Sequence, residues 1–427
     1  MSTLSVGTVS ATELSVANAA SGSYFTTLYA KANTSGTDAT NAFAKANAAL
    51  ANTSTTLSGN LAITGTVSSG SNYISPYTGM KNRIINGAMM IDQRNAGASV
   101  TPASGDYTVD RWQAIASQAS KYSVQQNAGS VTPPSGYKNY LGITSLSSYA
   151  VTATDSFQLR QPIEGLNVAD LGWGSASAAT VTLSFWVRSS LTGTFGGALF
   201  NSATNRTYVF SYTINSANTW EQKSVTIAGD TSGTWLTSNG IGIYVQFSLG
   251  MGSTYSGAAG SWSSTLYLPV TGAQSVVGTN GATFYITGVQ LELGTVATPF
   301  ESRLYGYELG LCQRYYEKSY DIDTAPGTAT FTNLIPLTGY INGWPGGMTT
   351  WIPWKVDKRS TPTLTYYDAA GSSSKASWGA IASDTPSTNN ITSIGLTPMT
   401  KGMRGNGYGV SGTNSTVFFH YVASSEL

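Results

Sequence analysis

Between residues 81 and 300 the chain alternates apolar and polar positions with a period of two. The alternating runs are short, and turn-forming Gly, Ser, Thr and Asn interrupt them about every 8–12 residues, the pattern of an antiparallel β-sandwich or barrel. In VTLSFWVRSS (181–190), Val181, Leu183, Phe185 and Val187 share one face, which predicts a half-buried strand. IGIYVQFSL (241–249) does the same with Ile241, Ile243, Val245, Phe247 and Leu249, and TWEQKSVTI (219–227) adds another strand before the turn and loop GDTSGTW. Ile84, Ile85, Met89 and Ile91 predict a first apolar strand, and Phe284, Ile286, Val289, Leu291 and Leu293 a last one, its alternation broken near Gly288. A sandwich avoids two open edges by bringing such segments together, so they are expected to lie side by side.

Outside this region the period changes. Residues 1–36 alternate weakly (Leu4, Val6, Val9, Leu14, Val16) and hold too little apolar surface to fold alone; they read as an attachment segment ordered by neighbouring chains. From 37 to 58, Ala39, Phe43, Ala46, Leu50, Thr53 and Leu57 recur at spacings of 4, 3, 4, 3 and 4, a heptad seam. Asp38 caps the start of this helix and Gly59 ends it. Its small knobs make a solitary helix marginal, so it is expected to wind with other copies; the seam itself does not choose their number. After a brief alternation at Leu61, Ile63 and Val67, a Gly/Ser/Pro linker runs to residue 80. Beyond 300, ESRLYGYELGLCQRYYEK (301–318) predicts a helix with Leu304, Glu308, Leu311 and Tyr315 on one face and Cys312 beside that stripe, buried and inert. TWIPWKV, PTLTYYDAAG, ITSIGLTPM and STVFFHYVA then predict a smaller β-domain. The domain boundaries follow: 1–36 attachment segment, 37–80 stem and linker, 81–300 sandwich, 301–427 helix plus C-terminal β-domain as the distal tip.

Composition sharpens this picture. Charged residues make up 10% of 427 and Gly numbers 47, while aromatics reach 11%. Disorder needs high charge and few aromatics, so this is a β-rich protein with an uncharged polar surface, suited to extracellular or virion assemblies. A net charge of +1 without a basic block gives no footprint for nucleic acid. One cysteine forms no intrachain disulfide, leaving stability to packing and assembly. The N-terminal residues MSTLSVGTVSATELSV predict no signal peptide, and no run of 18 apolar residues predicts a membrane span.

Several motifs occur together in order: NRIINGAMMIDQR (82–94) followed by YTVDRW, then SFWVRSSLTGTF (184–195), TWEQKSVTIAGDTSGTW (219–235) and VQLELGTVATPFESRLYGYELGLCQRYYEK (289–318). Across about residues 81–318 the chain resembles bacteriophage tail-fibre and related virion fibre proteins, and CQRYY, PTLTYY and the ending FFHYVASSEL extend the resemblance less specifically. The resemblance implies a jelly-roll sandwich similar to carbohydrate-binding modules. It also implies a homotrimer, with the heptad positions as the trimerisation contacts, and other virion proteins bound through the N-terminus. Similar sugar-binding jelly rolls hold a structural calcium, for which no ligand is assigned here; no other cofactor is expected.

Residues for catalysis are scarce. His420, alone of its kind, sits in the alternating strand VFFHYVA, where it reads as a structural residue, and no G-x-S-x-G accompanies it. DIDTAPG (321–327) opens like a calcium loop, yet Thr332 stands where an EF-hand needs Glu. Two of the 20 carboxylates would suffice for a polysaccharide-degrading tailspike, and Asp106 with Asp110, or Glu164 with Asp170, are the pairs considered. Sugar sites set exposed aromatic rings beside amides and charged groups. Trp235, Tyr255 and Trp262 in loop-like sequence, with Trp344, Trp351 and Trp354 in the last domain, are therefore the candidate ligand-binding residues; Trp112, Trp186 and Trp220 fall in strand patterns and read as core. The resulting expectation is a non-enzymatic, homotrimeric tail fibre on the phage surface, made in the host cytoplasm, that binds host-surface polysaccharide or lipopolysaccharide. A head fibre, collar or capsid decoration protein is the alternative, and a glycan-cleaving tailspike the second.

Overall fold

The computed structural model describes residues 80–338, 349–380, 390–391, 394–406 and 415–427. The predicted coiled-coil residues Ala39, Phe43, Ala46, Leu50, Thr53 and Leu57, and Trp344, lie outside the described residues. The sandwich strands are β1 (Gln113–Ala116), β2 (Tyr122–Gln126), β3 (Leu141–Ser145), β4 (Ser156–Glu164), β5 (Val181–Ser189), β6 (Gly193–Phe200), β7 (Thr207–Ile214), β8 (Glu221–Ile227), β9 (Ile241–Met251), β10 (Trp262–Ser263) and β11 (Thr283–Leu293). They form a six-stranded sheet in the order β1-β4-β9-β6-β7-β10 and a five-stranded sheet in the order β2-β3-β11-β5-β8. All the pairings are antiparallel.

The core between the sheets is filled as the alternation predicted: Val181, Leu183, Phe185 and Val187 meet Ile243, Val245, Phe247 and Leu249. Phe185 stands edge-on to both Tyr212 and Phe247 at 5.0 Å, a geometry that places positive ring edges against negative faces. The broken alternation in β11 is a bulge between Thr287 and Gln290. Gly288 there has φ +60°, and a Cβ would fall 2.6 Å from the Tyr137 ring, so both backbone and space demand glycine.

The two end segments do meet: the Arg83 N–H donates to the Leu291 carbonyl and the Val289 N–H to the Gly87 carbonyl. The first is not a regular strand, however. Asn86 and Met89 adopt positive φ (58° and 55°), which twists the chain so that Ile84 and Met89 enter the sandwich core while Ile85 and Ile91 turn to a separate cluster with Cys312 and Tyr315. Cys312 is fully buried there, and burial holds its thiol well above the usual range, as befits an inert cysteine.

Acid stability is built into one turn of the sandwich. The Asp155 carboxylate accepts bonds from the Thr152 N–H and hydroxyl and from Ser117 and Tyr149, which together pull its pKa from 3.8 down to about 2. A carboxylate favoured in the folded state contributes stability that is complete above about pH 4 and lost as pH falls toward 2. Asp155→Asn is expected to flatten that part of the acid-unfolding curve, and an unchanged curve would contradict the assignment.

The C-terminal part comprises helix α1 (Tyr305–Gln313) and strands β12 (Tyr316–Lys318), β13 (Ile335–Thr338), β14 (Thr349–Pro353), β15 (Thr363–Tyr367), β16 (Ala376–Ala380), β17 (Asn390–Ile391), β18 (Gly395–Met399), β19 (Gly402–Asn406) and β20 (Ser415–Ser424). β20 is its axis, pairing with β12, β13, β15 and β16, while β14, β19 and β18 form a separate three-stranded sheet. The predicted helical stripe needs correction. Leu304 precedes the helix and is 84% exposed, whereas Glu308, Cys312 and Gln313 are buried. Glu308 and Tyr315 of the stripe are buried as expected, and the Glu308 carboxylate accepts from the Asn86 N–H and from Arg303, so a charged residue and not Leu304 anchors the start of the helix. Among the described residues no helix is long and apolar enough to cross a membrane.

Candidate functional site

Inward-facing core residues on β4, β6 and β9 force the residues between them outward. On the outer face of the six-stranded sheet the register sets these side chains in three rungs. Ile115, Gln158 and Ser248 form the first, Gln113, Arg160, Gln246, Ala198 and Val209 the second, and Pro162, Tyr244, Phe200 and Thr207 the third. The loop after β9 packs on the same face, where Tyr255, Leu266 and Leu268 meet Ala198 and Phe200.

This face is polar where a sheet floor so deeply covered would ordinarily be apolar. Gln246 is 0% exposed, Ser248 2% and Gln158 5%. Yet Gln246 Nε2 and Oε1, Ser248 Oγ and Gln158 Oε1 have no hydrogen-bond partner in the protein. Nearly all buried polar groups are partnered, and each orphan costs about 1–3 kcal/mol, so four on adjacent strands are not incidental. The surrounding side chains are fixed. Tyr244 stacks on Phe200 (4.6 Å between centroids, 19° between planes), and the Arg160 guanidinium lies 4.5 Å from the Tyr244 ring centre. Arg160 Nε donates to Gln113 Oε1 at 2.7 Å, and Gln113 Nε2 in turn to the Gly105 carbonyl. Burial lowers the Arg160 pKa, with Tyr244 and then Tyr107 opposing it, and the guanidinium remains a cation. The result is a row of free amide and hydroxyl groups beside a rigid aromatic–guanidinium stack.

The aromatic residues singled out from sequence scatter. Tyr255 lies at the wall of this face, half-buried against Phe200. Trp235 and Trp262 do not form an exposed platform. Together with Trp173 they make a triad of mutually edge-on rings at 4.8, 5.3 and 5.4 Å that packs against the sandwich core. The indole N–H groups of Trp235, Trp262 and Trp173 are spent on the Ser232, Ala228 and Ala179 carbonyls respectively. Trp354 is 6% exposed, donates to the Met399 carbonyl and packs on Tyr421, as a core residue does. Trp351 is 49% exposed on β14, far in the chain from the polar face. Of the strand tryptophans, Trp112 is fully buried, while Trp186 and Trp220 are half-buried.

The titratable candidates hold structural posts. Asp110 binds the Gln93 N–H and side chain, Glu164 accepts from Arg314 and Tyr315, Asp170 pairs with Arg83, and Asp106 caps the Ala103 N–H. Burial raises the Asp110 pKa to about 6 despite Arg94 and Gln93. His420 is fully buried in β20, stacked on Tyr320 at 3.8 Å, with Nδ1 against the Ser319 hydroxyl and Nε2 against the Thr330 carbonyl; burial lowers its pKa. Among the described residues no group of three or more His, Cys, Asp or Glu side chains is placed to hold a metal.

No protein-family model matches the chain, and no curated protein matches it. Among solved structures, it is similar to the enzymatically active domain of bacteriophage CBA120 tailspike protein 4, at 12% identity and a TM-score of 0.28, over 50% of this chain but only 21% of that one. It is similar to a CBM4 structure at 17% identity and a TM-score of 0.24, over 49% of this chain and 98% of that one. A putative sugar binding protein from Bacteroides thetaiotaomicron aligns at 12% identity and a TM-score of 0.28, over 50% of this chain and 100% of that one.

Proposed function

We propose that this chain is a non-enzymatic fibre protein of a bacteriophage virion, a homotrimer whose sandwich binds host-surface glycan on the outer face of its six-stranded sheet. The fibre reading rests on the ordered motifs between residues 82 and 318 and on the low charge of the chain. The glycan reading rests on one observation: the unpartnered Gln158, Gln246 and Ser248 groups beside the Arg160–Tyr244–Phe200 stack. Sugar hydroxyls both donate and accept, and a glutamine amide offers a matching donor and acceptor at a fixed spacing. A sugar reaches these buried groups through rotamer changes in the side chains that cover them, of the kind that commonly accompany binding. Three such sites on one fibre would add their weak affinities through effective concentration.

Gln246→Met separates binding from folding. A structural amide would be missed by the fold, whereas an orphaned one costs stability. The variant is therefore expected to be as stable as the parent or up to about 3 kcal/mol more stable in chemical denaturation. It is also expected to lose binding to host-surface polysaccharide measured by calorimetry. A variant that is destabilised, or that binds as the parent does, contradicts the assignment.

A further inference from the structure

A second recess lies away from the sheet face, where helix α1 and the C-terminal strands meet the sandwich. It is a cavity of about 470 Å³, lined among others by Gln93, Gln313, Asn333, Tyr320, Lys318 and Lys355. That volume is in the range of small-ligand sites, about 300–1,000 Å³. Its charge is unusual. Lys318 is 1% exposed, and its ammonium is held only by neutral groups, the Ile322 carbonyl at 3.0 Å and the Thr324 carbonyl at 2.7 Å. The Lys355 ammonium likewise contacts a carbonyl, that of Lys318, at 3.3 Å. Among the described residues neither lysine takes part in an ion pair, whereas Lys358 nearby pairs closely with Glu317. A buried ammonium without a carboxylate is costly, since burial disfavours the charged form. Accordingly burial pulls the Lys318 pKa down to about 8; Asp110, Asp92 and Asp323 oppose that shift, and Lys355 adds to it. Asp321 also faces the cavity, its carboxylate engaged by the Asn333 amide.

We propose that this cavity binds the carboxylate of an acidic sugar, with Lys318 and Lys355 meeting the anion and the Gln93, Gln313 and Asn333 amides meeting the neighbouring hydroxyls. The class of ligand rests on the glycan reading above; the site itself is separate from the sheet face. An anion here pairs directly with two ammonium groups that, among the described residues, no carboxylate contacts. Charge-assisted hydrogen bonds are about twice as strong as neutral ones, so the carboxylate dominates recognition over the uncharged rim.

The test uses the full-length protein and two probes, trigalacturonate and the neutral galactotriose, titrated by calorimetry. Trigalacturonate is expected to bind the parent, and Lys355→Gln, at an exposed position, to weaken it roughly tenfold while leaving the melting temperature unchanged. Gln246→Met on the sheet face is expected to leave trigalacturonate binding intact, which separates this site from the other. Failure of trigalacturonate to bind the parent, or equal binding by Lys355→Gln, overturns the proposal whatever Gln246→Met does. Galactotriose binding that Lys355→Gln weakens equally overturns the role given to the carboxylate.

Discussion

Replacing Glu426 by alanine is expected to cost about 3–5 kcal/mol of stability, the loss seen when one partner of a buried ion group is removed. The Glu426 carboxylate is gripped from both sides by Arg94, at 2.5 Å, and by Arg111. These guanidinium groups are themselves stacked, Arg94 on Tyr316 at 3.7 Å and Arg111 on Tyr315 at 3.6 Å. Arg111 is 1% exposed, so without Glu426 its charge stays buried with no countercharge. The flanking residues reinforce the latch. Ser425 donates to the Tyr315 and Arg314 carbonyls, Arg359 donates to the carbonyls of Ser425 and Glu426, and the Tyr107 hydroxyl donates to the Leu427 carbonyl. Chemical denaturation should therefore show Glu426→Ala unfolding at much lower denaturant. A triple variant, Arg94→Met, Arg111→Met and Glu426→Leu, removes all three ions and should regain most of the loss. If it does not, the residues act through shape and not through charge.

The second large effect is expected at Glu317. Its carboxylate accepts from the Lys358 ammonium and the Tyr421 hydroxyl, each at 2.6 Å, and from the Lys355 N–H. Both charged side chains of the Glu317–Lys358 pair are 0% exposed. Glu317→Ala strands the cation and should cost about 3–5 kcal/mol near neutral pH. Burial already lowers the Lys358 pKa from 10.5, and Glu317 is the chief opposing influence. Without it the folded-state pKa falls further. The unfolded chain then binds the proton more readily, which penalises folding at low pH, and the penalty shrinks as pH rises toward 10.5. Denaturation at pH 7 and at pH 9.5 checks the sign: a loss that does not lessen at the higher pH would show that the cation is not the cause.

Much of this architecture can be read from residue alternation. Val181 to Val187 and Ile243 to Leu249 face inward as their period requires, and the irregularity at Gly288 is a bulge. The outward partners Tyr244, Gln246 and Ser248 are legible in the same strand, since they are the residues between the core positions. What the alternation cannot show is that β4 sets Gln158 and Arg160 opposite them, because register between strands about 90 residues apart in sequence is a property of pairing and not of period. The tryptophans were opaque for a related reason. Trp235 and Trp262 sit in sequence rich in Gly, Ser and Thr, which reads as exposed loop; only the fold brings them together with Trp173 into one cluster. Leu304 looked apolar enough to be buried, but Arg303 and Glu308 fix the helix by charge.

The stretch after residue 80 completes its contacts only with segments made much later: Asn82 with Glu301, and Arg94 with Glu426, 332 residues further along. During synthesis its apolar side chains Ile84, Ile85 and Met89 must wait on the ribosome for strand β11 and helix α1 to emerge. Long sequence separation slows folding, and waiting surfaces attract neighbours. Nascent chains released before residue 300 should consequently recruit chaperones, while those long enough to include Glu426 close on their own.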